Sequence, residues 1–131
     1  MSLLLSLVEY CVANGVLAGD GIDAFRDFMP ETPDTATVFH EYAGDPLSPL
    51  TSVVHRAVQV KVRDISAEAA RAKALEVLEL FKADTESLRV DFSDSLWGQV
   101  YIRQVPFKLQ QDSSNRVIYC FNLGITTNIL E

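Results

Sequence analysis

The sequence predicts an α+β fold: a mixed, mainly antiparallel sheet of four to five strands packed against an N-terminal helix and one central helix. Three observations carry this. Apolar residues recur at helical spacing near the N-terminus and again between residues 67 and 82. Strict alternation over residues 53–63 and 116–127 gives strands with a dry and a wet face. A short polar turn joins the last two strands as a hairpin.

The elements follow in order. Residues 2–14 carry Leu3, Leu4, Leu7, Val8, Cys11 and Val12 on one helical face, and Gly15 is a natural stop. Residues 15–35 read as irregular, with Gly19, Gly21, Pro30 and Pro33 between acidic residues. So long a loop is either an interaction loop or a connector pinned to the core by Phe25 and Phe28. Residues 36–42 form a strand and residues 43–49 a loop. In residues 53–63, Val58, Val60 and Val62 point to the core, and Gln59, Lys61 and Arg63 to water. Ser66 caps a helix from Ala67 to Lys82, whose inner stripe is Ala70, Ala74, Val77, Leu78 and Phe81.

Residues 88–92 suit a short strand, and residues 97–109 a long one whose apolar phase shifts near Gln104. Pro106 cannot donate to a ladder, so that strand is expected at an edge or a bulge. Asp112 to Asn115 supply turn chemistry. In residues 116–127, Val117, Tyr119, Phe121, Leu123 and Ile125 share one face.

The chain has 131 residues and a net charge of -7, with 18 acidic against 11 basic side chains. One domain spanning 1–131 is expected. The acidic balance argues against non-specific nucleic-acid binding and against docking on an anionic membrane. The apolar N-terminal run lacks a basic region before it and is too short to span a bilayer. Cys11 and Cys120 form no metal or redox motif and read as buried free thiols rather than a disulfide.

The search for chemistry ends in expected absences: no catalytic, cofactor or metal site. Gly19-Asp-Gly21-Ile-Asp-Ala24 matches a relaxed dinucleotide fingerprint but follows a helix, so no helix N-terminus meets a phosphate. His40 and His55 lie in or beside strands, away from any nucleophile turn. Asp20, Asp23 and Asp27 lack the spacing of a calcium loop. Asp84, Glu86, Asp91 and Asp94 read as a solvated rim near the end of the second helix. Trp97 divides evenly between core anchor and interface residue. The candidate subunit or partner interface is Phe25, Phe28, Trp97, Arg103 and Pro106.

The order of segments is similar to a known family. Gly19-Asp-Gly-Ile-Asp-Ala-Phe-Arg-Asp-Phe-Met-Pro30 follows a helical N-terminus, and Glu41-Tyr-Ala-Gly44 ends a strand. Val58-Gln-Val-Lys-Val-Arg63 and an alanine-rich helix come next. Val105-Pro-Phe-Lys-Leu109, Arg116 and Tyr119-Cys-Phe-Asn-Leu123 close the series. Nearly the whole chain resembles the minor capsid or tail-completion proteins of tailed bacteriophages, in particular the tail-terminator class. That resemblance implies a homo-oligomer, usually a hexameric ring, that caps the tail tube and ends its polymerisation. It implies partners in the tail-tube and head-connector proteins, with DNA only in passage through the lumen. The virion's tail-head interface would be its place, with assembly in the host cytoplasm. It carries no active site. The acidic balance suggests a lumen lined with negative charge. The alternatives are another neck component, such as a head-completion or stopper protein, and a non-viral small binding module.

Overall fold

A computed structural model describes residues 2–47, 53–82, 88–92 and 96–129. The expected loop positions Ser48 and Pro49, and the rim residues Asp84, Glu86 and Asp94, lie outside the described residues. The element order is α1 (Leu3–Ala13), β1 (Ala24–Arg26), β2 (Ala36–Tyr42), β3 (Val54–Asp64), α2 (Ala67–Phe81), β4 (Leu88–Asp91), β5 (Trp97–Gln111) and β6 (Val117–Thr127).

Local chemistry sets the helix ends. The Ser2 hydroxyl accepts from the Leu5 amide at 3.1 Å, capping α1. At the other end Gly15 adopts φ +75°, and Val16 N–H donates to the Cys11 carbonyl while Gly15 N–H donates to that of Val12. This is the paired bonding of a Schellman motif, which closes orphan carbonyls where the helix stops. The Ser66 hydroxyl accepts from the Ala69 amide and opens α2 as expected.

Among the described residues, six strands form one sheet in the order β1-β2-β3-β6-β5-β4. All pairings are antiparallel except β1 with β2. The count exceeds the four to five expected because β1 sits inside the stretch that reads as irregular. Three residues are too few to show alternation, so the parallel pairing of Ala24 with Thr37 leaves no periodic signal.

Both helices contribute to one core on one face of the sheet. Leu3, Leu7, Val8 and Cys11 from α1 and Ala74, Val77 and Phe81 from α2 join Phe39, Val58, Val60, Val62, Phe121, Leu123 and Ile125, all at most 1% exposed. Burying a Leu, Val or Phe side chain contributes about 1.5–3 kcal/mol, so this cluster is the main source of stability.

The wet-face expectation for β3 fails at one residue. Arg63 is 2% exposed, because its guanidinium turns to the strip at 31–34 and donates to the Glu31, Pro33 and Asp34 carbonyls. Both cysteines are free and buried, Cys11 on the helix side and Cys120 on the β6 set that faces away from the core.

Candidate assembly surfaces

The five candidate residues do not converge on one patch; they divide between the two ends of the sheet. Phe25 and Phe28 lie at the β1 end. Trp97, Arg103 and Pro106 lie on β5 near the other end.

At the β1 end the chain is held in a tight, built shape. Gly21 adopts φ +84°, and its N–H donates to the Ala24 carbonyl at 2.8 Å. The Asp23 carboxylate accepts from the Ala18 and Gly19 amides, and Asp20 pairs with Arg26 at 3.1 Å. Asp27 sits at φ +71°, a region Asp tolerates better than bulky residues, and its N–H donates to the Phe39 carbonyl. That turn throws Phe28 outward. Phe28 is 62% exposed and meets the half-buried Phe25 edge-on, with ring centroids 6.1 Å apart. Ile22 beside them is also 62% exposed.

Of the two readings of this loop, the connector pinned to the core by both phenylalanines fails at Phe28, which points outward. Two arginines hold the following strip instead. Arg116 is buried and reaches the Glu31 carbonyl and the Glu31, Asp34 and Asp112 carboxylates. Burial opposes its charge, but the Asp112 bond and the charges of Asp112 and Glu31 outweigh burial and raise its pKa. For Asp112, burial pushes the carboxyl up. The Arg116 and Ser114 amides and the Arg116 guanidinium outweigh it and hold Asp112 below its ordinary value. Arg116 stands at the hairpin turn, where sequence offers no sign of a partner more than eighty residues away.

At the other end, β4 covers β5 only from Trp97 to Val100. From Ile102 to Gln111, β5 pairs with β6 alone, and no described strand takes its outer edge. Pro106 thus lies on a free edge although its strand is not the last in the sheet. The pairing shifts register between Ile102 and Gln104, between Gln104 and Phe107, and between Lys108 and Gln110. Arg103 and Pro106 each occupy one of these irregular places, and Arg103 is exposed. The phase change read near Gln104 is the first of these shifts. Exposed apolar groups gather here, with Val105 at 69% and Leu109 at 39%. Trp97 is set apart from them. It is half-buried opposite Asp91, with the Arg89 guanidinium 5.0 Å from its ring centre.

Between the two ends lies a sheet face turned away from the helices. His40, Gln59, Asn122 and Gln104 form one row across it, and Lys61 stands next to that row. On β2, β3, β5 and β6 this face carries no carboxylate. The Asn122 amide nitrogen donates to Gln104 at 2.6 Å, while its oxygen is buried without a partner among the described residues. Tyr101 lies flat over Gly124: a Cβ there would stand 2.1 Å from the Tyr101 Cζ. His55 Nδ1 lies 2.8 Å from the Thr126 hydroxyl, and among the described residues no three His, Cys, Asp or Glu side chains gather as a metal site.

Comparisons with known proteins agree with this architecture. A chain from the virion of a native gene transfer agent (GTA) particle superposes with a TM-score of 0.52 at 11% identity, covering 96% of this chain and 98% of that one. Such a likeness speaks for a shared fold. No curated protein matches the sequence. The family model described as bacteriophage tail terminator protein matches residues 12–129, nearly the full length, and the chain belongs to that family.

Proposed function

We propose that this protein is a structural virion component that caps the tail tube, ends tail polymerisation and forms the joint with the head connector. The observation that carries the reading is the family match over residues 12–129. The working form is a homo-oligomeric ring, taken here as a hexamer, touching the tail-tube protein on one side and the connector protein on the other. It assembles in the host cytoplasm and performs no catalysis. DNA meets it only in passage. The fold supports such use: exposed apolar residues sit at both ends of one sheet, where neighbours in a ring would meet.

The charge pattern refines one expectation. If the open sheet face lines the channel, its β2, β3, β5 and β6 positions offer amides, imidazoles and Lys61 rather than carboxylates. An acidic lumen would need another face turned inward.

The test is electron microscopy of particles made without this protein. Tails longer than normal are the expected result. Tails of normal length that fail to join heads would replace this reading with a stopper or head-completion role. Particles of normal form would sink both.

A further inference from the structure

We infer that the β1 end of one copy docks on the free half of β5 of a second copy, a head-to-tail contact repeated around the assembly. The inference rests on the ring reading above and names the two surfaces that meet.

Four facts carry it. First, each surface presents large exposed apolar groups: Ile22 and Phe28 at one, Val105 and Leu109 at the other. Second, the two are opposite in charge. The β1 end carries three carboxylates, Asp20, Asp23 and Asp27, against one guanidinium, Arg26, so it is negative by two. Strand β5 carries Arg103 and Lys108 and no acid, so it is positive by two. A symmetric contact would set acid against acid or base against base, which costs free energy; the head-to-tail contact sets opposite charges together.

Third, a copy cannot satisfy itself. Four strand spacings separate β1 from β5, about 19 Å at about 4.8 Å each. Fourth, the β1 end is pre-shaped: the Asp23 carboxylate accepts from the Ala18 and Gly19 amides, Gly21 N–H donates to the Ala24 carbonyl and Asp27 N–H to that of Phe39, so little ordering cost falls on that surface in assembly.

Side chains carry this contact more than backbone ladders do. β1 offers only three residues, and the free half of β5 is broken by register shifts and by Pro106, which has no N–H to donate.

The test uses the full chain with F28C and V105C made separately. Both positions are exposed and both native thiols are buried, so a short bismaleimide reports only the new cysteines. Oligomer size is read in parallel by native mass spectrometry, free and on purified tail tubes, with circular dichroism as the check on folding. The expected result is a cross-linked dimer from the mixture of F28C and V105C and none from either alone. The charge variant R103E/K108E should weaken association about tenfold or more. Oligomers that form without the mixed cross-link, or with F28C joined to itself, would overturn this contact and leave the ring standing. Cross-linking to the tube protein alone would assign these surfaces to a different partner. A strict monomer even on tail tubes would remove the ring reading itself.

Discussion

Replacing Gly124 with alanine tests the cross-strand stacking on the open face, and its sign should depend on a second residue. The alanine Cβ would stand 2.1 Å from Tyr101 Cζ and 2.5 Å from Cε2. Carbon atoms pack at about 3.5–4.0 Å, so the ring must retreat by more than 1 Å. Those atoms are the far end of a side chain that is 38% exposed, so the ring can swing out rather than force the backbone apart. The cost is then the lost burial of part of one aromatic face, about 1–2 kcal/mol. Against this, alanine in a strand regains about 0.5–1 kcal/mol over glycine. The net expectation is destabilisation of up to about 1.5 kcal/mol. In a Tyr101→Ala background the clash is gone and only the gain remains, so Gly124→Ala should stabilise by about 0.5–1 kcal/mol. The assay is urea unfolding of all four proteins at one protein concentration, read as a double-mutant cycle. Equal effects of Gly124→Ala in both backgrounds would refute the reasoning.

Phe39→Ala, which empties a fully buried position of the core, should cost about 3–5 kcal/mol in the same assay. Asp112 has a folded pKa held below its ordinary 3.8, so its contribution is present above that value and lost as pH falls through the lower folded value. Thermal stability should therefore fall below about pH 4, and Asp112→Asn should remove part of that dependence. Burial, partly offset by Lys73, pushes the Cys11 thiol up to about 12, so Cys11 should resist a thiol reagent at pH 8 until the chain unfolds. Removing Arg63 and Arg116 together should release the strip at 31–34 and raise cleavage after Glu31 by a glutamate-specific protease about tenfold or more.

How much could be read in the sequence follows from which forces are periodic. Val58, Val60 and Val62 and the α2 stripe announce themselves because each buried face repeats at a fixed spacing. Ser66, Gly15 and the Asp112–Asn115 turn are equally plain, since capping and turn chemistry are local. The short β1 was hidden because its pairing is parallel and only three residues long. The Arg63 and Arg116 anchors were hidden for another reason. Apart from Asp112, which is near Arg116 in sequence, their partners are backbone carbonyls and acids of the distant strip at 31–34, and an arginine in a wet-face register looks the same whether it meets water or a distant loop. Of the candidate interface, the residue types were legible, but their division between two ends of the sheet depends on strand order, which alternation does not encode.

That division also explains how exposed apolar edges are kept from indiscriminate pairing. A long flat edge with free amides invites any strand to add to it. Here the free half of β5 is shifted in register three times and interrupted by Pro106, while the opposite end shrinks to a three-residue strand bounded by Gly21 and Asp27 at positive φ. Neither end offers a regular ladder. What remains exposed is side chain: Phe28 and Ile22 amid acids at one end, Val105 and Leu109 beside Arg103 and Lys108 at the other. Such surfaces discriminate by shape and charge, which a generic strand lacks. The irregular places in the β pattern are therefore where selectivity for a particular neighbour would be built, and a variant that regularised them, such as Pro106→Val, should gain strand pairing and lose discrimination. Filament or aggregate formation by that variant, scored by light scattering against the parent chain, is the expected outcome; unchanged solution behaviour would show that the proline does not guard the edge.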